Sequence, residues 1–534
     1  MPSVFDRIPY EILSLILSEA AALNLKDAVT FSYGLTEAPQ PLQHVKLEKY
    51  VRGRRPEDSL RWDAVNSIRQ VNSTWRHWAL EYAVKELYIR RWRGSERWIE
   101  SRDLATLEGP PSGEAVYRQP YNAVRETARC VSQCPDLAQH VRRLWFNGLY
   151  TAETTAEIFK ILAHCRNLRS LTMPWVSLRY GDAERWADLL REDGLESLEL
   201  TAINLTKSAL SVPANQVDNR VLEDPRVSFR SLKKLKIFGN TNFRPITDED
   251  LRLVARTATG LEALHVTGNS SISIAGIISL VEASSSTLRV LEYSPLSADG
   301  FDHPDPDPNP TSDQLAYSSR PQPHYCQILL SCPHLTYLSI SIPSICPALF
   351  SSPDIVHWAG DLQVRAARIC GYPRDALSSE KAIATFKRIL QSARDLIEHR
   401  SSSSSTATRN GNNNDNDNTT CHDRNPHTHR ALDIELFIGP YIFTPSTGLV
   451  HGDFDLARAL SDFTWPAPDV SSTNGWGSDH LALMPSSKGP YGQTGLYGKD
   501  LDPDPELGIS RQRSWSCVSE TAFFDGVARG YVRF

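Results

Sequence analysis

The chain has 534 residues, with 57 Lys and Arg against 63 Asp and Glu and a formal charge of −6. Hydrophobic residues make up 40% and charged residues 22%, enough apolar material for a sizeable core. The acidic balance excludes a generally basic nucleic-acid coat or a polybasic membrane binder as the whole-chain function. Nine scattered cysteines, an odd number, fit reduced thiols better than a disulfide framework. Asp6, Arg7 and Glu11 interrupt the first apolar run, so it does not read as a secretory leader. No run approaches the roughly 20 apolar residues of a membrane span. The expected setting is intracellular, cytoplasmic or nuclear, with no membrane partner.

Residues 5–19 read as a short amphipathic helix. Pro9 suits a first turn, where its missing N–H has no partner to lose. Ile12, Leu13, Ile16 and Leu17 then fall on one face at helical spacing. Residues 24–60 lack periodicity and read as a loop-rich insertion. Residues 63–92 return to helix, with Val65, Ile68, Val71, Trp75, Trp78 and Ala79 repeating at three and four. Pro110, Pro111, Gly113 and Pro120 mark a linker.

Beyond it the chain repeats. Six copies of Leu-x-x-Leu-x-apolar occur: Leu168/Leu171/Met173, Leu195/Leu198/Leu200, Leu232/Leu235/Ile237, Leu261/Leu264/Val266, Leu288/Leu291/Tyr293 and Leu335/Leu338/Ile340. Val141/Leu144/Phe146 precedes them as a related copy. Helical segments at 153–164, 183–191, 248–257 and 274–284 lie between the copies. Two copies run into Gly239-Asn240 and Gly268-Asn269, where the chain must turn out of a strand. A strand–turn–helix period of about 20–29 residues is that of a leucine-rich repeat, in which one unit cannot bury its Leu face without stacked neighbours. The expected fold class is therefore α/β: a small N-terminal helical module, then an irregular leucine-rich-repeat solenoid with parallel strands lining a horseshoe and helices outside.

Two longer spacings hold insertions, near 213–227 and 299–323. The second contains the stiff, acidic stretch Asp302–Pro310. Residues 401–430, five serines and then an Asn/Asp-rich run, read as disordered. Leu432, Ile434, Leu436 and Ile438 alternate as a final strand. Residues 440–534 are rich in Gly, Pro and aromatics without a readable fold. The layout is thus 1–100 helical module, 101–130 linker and cap, 131–400 repeats, 401–430 disordered segment, and 431–534 final strand plus C-terminal region.

The N-terminal residues Ile8-Pro9-Tyr10-Glu11-Ile12-Leu13 with Leu15-Ile16-Leu17, followed later by Val71-Asn72-Ser73-Thr74-Trp75-Arg76 and Trp78-Ala79, resemble an F-box. Pro9 and Trp75 stand farther apart than is usual in that family, and the 24–60 insertion accounts for the excess. Loop insertions cost little closure entropy. An F-box followed by leucine-rich repeats, of the fungal type, resembles the substrate receptor of Skp–cullin–F-box ubiquitin ligases. The resemblance implies a Skp-family adaptor and a cullin ligase as partners, together with an unknown protein substrate. It implies no catalysis by this chain, no cofactor and no nucleic acid. Implied adaptor contacts are Pro9, Ile12, Leu13, Ile16, Leu17, Val71 and Trp75. Substrate contacts are expected at outward strand positions between the buried leucines: Arg143, Trp145, Thr172, Glu199, Lys234, Lys236, His265, Glu292 and Tyr337. Their mixed signs suit a specific protein surface better than a polyanion.

Other constellations carry weaker chemistry. Cys134, Cys165 and Cys332 each sit at a helix end near a repeat strand and read as buried packing thiols. Cys130, Cys134 and His140 offer zinc-compatible atoms, but no second Cys/His pair follows at ligand spacing. Cys421, His422, His427 and His429 fall in the low-complexity run. The segment 85–102 is basic and aromatic, with Glu86, Glu96 and Glu100 interrupting the field. No phosphate loop, GxGxxG, HExxH or GxSxG motif occurs. His451-Gly452-Asp453 with Asp455, and the glycine-rich 489–498, read as loop. Two alternatives stay open. One is a non-catalytic scaffold in which the F-box-like helices only cap the repeats; the other is an enzyme whose site lies in 440–534.

Overall fold

The computed structural model describes residues 8–26, 65, 67–90, 121–191, 194–202, 220–239, 245–295, 325–350, 358, 360–369, 372, 379–406, 432–439, 441–452, 454, 484–485 and 516–532. The chain divides into two compact units, Met1–Pro245 and Ile246–Phe534. Both are mixed α/β, with mostly parallel strands.

In the first unit, α1 (Tyr10–Lys26) and α2 (Ser73–Lys85) form a small helical core. Leu13, Leu17 and Ala21 recur every four residues and pack with Val65, Ile68, Trp78 and Ala79. The Trp78 Nε1–H donates to Ser14 Oγ at 3.0 Å, so the indole is buried without losing its hydrogen bond. Asn72 caps α2: its side chain accepts from the Trp75 N–H at 2.8 Å. The helix expected over 63–92 ends at Lys85, and Glu86–Arg90 forms strand β1 instead. Pairing with the next strand decides this, because the alternating Leu87 and Ile89 join its apolar rows.

Strands β1, β2 (Arg143–Asn147), β3 (Ser170–Pro174), β4 (Ser197–Thr201) and β5 (Lys234–Phe238) lie parallel in that order. Leu87, Leu144, Leu171, Leu198 and Leu235 are in register across all five. Between the strands run α3 (Asn122–Gln133), α4 (Pro135–Ala138), α5 (Ala152–Leu162), α6 (Ser177–Tyr180) and α7 (Ala183–Leu189). The α5 and α7 helices fall where the spacing places them. The Cys165 thiol is buried and pushed up to about 12 by that burial. Cys134, expected to be buried, is exposed between α3 and α4.

The second unit opens with α8 (Asp248–Ala255), β6 (Ala263–Thr267), α9 (Ile274–Ala283) and β7 (Val290–Ser294). It continues with α10 (Tyr325–Leu330), β8 (Tyr337–Ile345), β9 (Asp361–Ile369), α11 (Glu380–Thr406) and β10 (Asp433–Ile438). Strands β6 to β10 are parallel neighbours, with Leu264, Leu291, Leu338, Leu362 and Ile434 in one row. Antiparallel strands follow: β11 (Tyr441–Thr444), β12 (Leu449–Gly452), β13 (Met484–Pro485) and β14 (Ser516–Ser519), then helix α12 (Glu520–Ala528). They pair in the order β10, β11, β12, β14, β13.

Three expectations change here. The strand at 431–438 is not the last, and it does not alternate: Ile434 to Ile438 are all buried. Phe437 escapes solvent beneath the Arg365 guanidinium, 4.6 Å from its ring centroid. The boundary at 401 falls inside α11, which carries on through the serines to Thr406. The unread C-terminal region supplies an aromatic cluster, with Phe443–Phe523 at 5.0 Å, Tyr441–Phe523 at 4.9 Å and Phe386–Phe443 at 4.8 Å between ring centroids. The proposed insertion at 299–323 and most of that at 24–60 lie outside the described residues.

Gly239 and Gly268 both take positive φ, at +92° and +66°, as the strand-exit turns require. A Cβ on Gly239 would stand 2.1 Å from the Ala202 carbonyl oxygen, whereas one on Gly448 (φ +66°) would meet nothing within 4 Å. Gly239→Ala should lower stability by about 2–4 kcal/mol and Gly448→Ala by only about 1. Urea unfolding of the two variants checks the difference.

Candidate protein-interaction faces

Helix α1 carries two apolar stripes. Leu13 and Leu17 are 5% and 1% exposed and belong to the helical core. The neighbouring stripe, Ile12, Ile16 and Leu23, is about half exposed, at 49%, 50% and 52%, with Leu15 beside it at 67%. Of the implied adaptor contacts, Pro9, Ile12, Ile16 and Val71 are therefore at the surface. Trp75 is half-buried, and Leu13 and Leu17 stand behind as support. Val71 is 56% exposed. Tyr10 ties the start of α1 to α2, donating its hydroxyl to Glu81 Oε2 at 3.3 Å.

The second face is made of strand positions between the leucines. In the first unit Tyr88, Trp145, Thr172, Glu199 and Lys236 form one row. Thr172 donates to Glu199 Oε2 at 3.1 Å, and Lys236 Nζ lies 3.7 Å from Glu199 Oε1. The Tyr88 and Trp145 rings are 5.7 Å apart. Trp145, Thr172 and Glu199, expected as outward contacts, are buried in this row. Arg143 and Lys234, two positions earlier, are half-buried.

The second unit carries the corresponding row His265, Glu292, Ser339, Gln363 and Glu435. His265 Nδ1 is 2.9 Å from Glu292 Oε2. Arg365, two residues past Gln363, donates to Ser339 Oγ at 2.9 Å and to Gln363 Oε1 at 3.3 Å. Gln363 in turn donates to Glu435 Oε2 at 3.0 Å. Burial lowers the Arg365 pKa despite the opposing pull of Tyr337, Glu292 and Glu435. Burial is also the main reason the Tyr337 hydroxyl is held above its usual range, with Glu292 next. Sequence reading placed His265, Glu292 and Tyr337 on this face and missed Gln363, Arg365 and Glu435. The missed strand has no Leu-x-x-Leu spacing. Its signal is plain alternation, with Leu362, Val364 and Ala366 against Gln363 and Arg365.

His451 is buried in β12; its expected companions Asp453 and Asp455 lie outside the described residues, as do Cys421, His422, His427, His429 and residues 489–498. Desolvation and the neighbouring Cys134 raise the Cys130 thiol. Among the described residues, no group of three or more His, Cys, Asp and Glu side chains is arranged to hold a metal. No described helix is long and apolar enough to cross a membrane. No protein-family model matches the chain, and no curated protein matches it.

Removing one member of a buried charged network leaves the others undercompensated. Arg365→Ala should therefore cost about 3 kcal/mol, and Arg365→Met distinctly less, because the apolar stem still covers Phe437. Equilibrium unfolding followed by tryptophan fluorescence measures both.

Proposed function

We propose that this chain is the substrate-recognition subunit of a cullin-type ubiquitin ligase. The N-terminal helices act as an F-box that docks a Skp-family adaptor, and a leucine-rich-repeat solenoid holds a protein substrate. The chain itself makes and breaks no bond. Its contribution is proximity, holding a substrate lysine near a charged conjugating enzyme.

One observation carries this reading. Among the described residues, every exposed large hydrophobic side chain lies between Tyr10 and Leu80: Tyr10, Ile12, Leu15, Ile16, Leu23, Val71 and Leu80. Scattered exposed apolar residues are ordinary, but their confinement to one small module supports a docking surface there. A helical partner laid along the Ile12/Ile16/Leu23 stripe would bury it. The in-register leucine rows support the repeat assignment in the same way, since each strand covers the apolar side chains of the next.

A second reading has its own support. Helix α2 runs directly into β1, the edge-to-neighbour partner of β2, as a structural cap on a repeat array would.

A pull-down with a purified Skp-family adaptor separates the two. Ile12→Asp/Ile16→Asp changes only exposed side chains. It should keep the helical circular dichroism of the wild type and reduce adaptor capture at least tenfold. Leu17→Ala, in the core, should instead destabilise the module by about 2–5 kcal/mol. A folded wild type that captures no adaptor would leave the cap reading standing.

A further inference from the structure

The residue preceding each strand of the first unit stands in a continuous backbone rung. The Arg142 N–H donates to the Lys85 carbonyl, Arg169 to Arg142, Glu196 to Arg169 and Lys233 to Glu196, at 2.8 to 2.9 Å. That rung carries four cations and a single carboxylate. Adjacent strands are about 4.8 Å apart, so the five side chains span roughly 19 Å. Lys85, Arg142, Arg169 and Lys233 are exposed. One residue on, Arg143 and Lys234 add two cations and Glu86 one carboxylate.

The corresponding rung of the second unit is different. Its bonded positions Glu262, Arg289 and Thr336 balance in charge. The basic edge is therefore local, in a chain whose formal charge is −6. Like charges about 5 Å apart repel even through water. Within the rung, Glu196 sits 3.0 Å from Arg169 Nη1 and 3.7 Å from Lys233 Nζ, and Arg142 Nη1 donates to the Asn167 carbonyl at 3.1 Å. The rung still holds four cations to one carboxylate, and a carboxylate brought to this edge would add to the one that Glu196 supplies.

We propose that this strand-start edge binds an acidic peptide segment, one with Asp or Glu side chains clustered along an extended stretch. The proposal rests on the reading that the repeats hold the substrate, and it names that substrate's chemistry. Discrete carboxylates can fall on either side of Glu196, whereas a phosphodiester backbone would have to cross it. Single-stranded nucleic acid also needs aromatic platforms for its bases, and Tyr10 is the one exposed aromatic among the described residues, outside this edge.

The test is fluorescence anisotropy with the full-length chain and no adaptor present. The probe is a labelled peptide of alternating Glu and Ser, roughly eight residues long, enough at about 3.3 Å per residue to cross the rung. Its Gln/Ser counterpart is the control. Binding of the acidic peptide should exceed the control at least tenfold and weaken as salt rises. Lys85→Glu/Lys233→Glu/Lys234→Glu should weaken it at least tenfold with the circular dichroism unchanged. Glu196→Lys should tighten it several-fold, a gain that misfolding cannot mimic. Equal binding of the two peptides, no binding, or no response to Glu196→Lys would overturn the proposal. Tighter binding of oligouridylate than of the peptide, with the same sensitivity to these substitutions, would replace it with a nucleic-acid edge. Because the assay contains no adaptor, its failure is distinct from failure of the ligase reading in the pull-down.

Discussion

In-register stacking of apolar rows is the constraint on which the rest depends. Side chains of a strand alternate faces, so one strand of five residues offers only two or three apolar positions to a given side. Such a strand has nothing to bury them against until another strand lies about 4.8 Å away with the same positions filled. Leu144, Leu171, Leu198 and Leu235 in one unit, and Leu264, Leu291 and Leu338 in the other, are each at most 1% exposed. Their spacing along the chain is variable, but their spacing in register is not. Insertions are therefore tolerated between strands and not within them, because a one-residue slip would turn a whole row outward.

The same constraint produces the polar rows. Once the leucine positions are committed to the core, the residues between them must stand beside their counterparts on neighbouring strands. Any charge placed there acquires close neighbours. In the first unit this yields Thr172–Glu199–Lys236, and in the second His265–Glu292 and the Ser339–Arg365–Gln363–Glu435 set. These groups bond or pair with one another, so much of what sequence reading took for an outward contact surface is occupied internally. The rung just before the strands is less constrained. Its side chains reach solvent, and in the first unit it holds an excess of one sign.

Repeat strands and their helices were readable in the sequence because they rest on local periodicity. Leu-x-x-Leu located β2 to β8, and helical spacing located α5, α7, α8 and α9. What escaped depends on distant partners. Strand β1 reads as the end of a helix until β2 is available to pair with it. Strand β9 carries no leucine repeat and is recognised only by the alternation of Leu362, Val364 and Ala366. The aromatic cluster of Phe386, Phe443 and Phe523 draws on three segments, 57 and 80 residues apart, with no shared pattern. Of the candidate sites, residue choice on the faces was readable and exposure was not. Nothing in Leu13 and Ile12 as residue types says which stripe of α1 the Trp78 side turns inward.

That last distinction carries the functional argument furthest. A helix that only caps an array needs one apolar stripe, and α1 has that in Leu13, Leu17 and Ala21. The second stripe adds nothing to the described core and leaves Ile12, Ile16 and Leu23 half in water, a standing loss of hydrophobic stabilisation. Polar residues at those positions would be more soluble and no less stable. A surface kept apolar against that gradient makes sense when something covers it. Among the described residues the exposed apolar side chains are confined to the helical module, and the proposed docking of a partner there rests on that confinement.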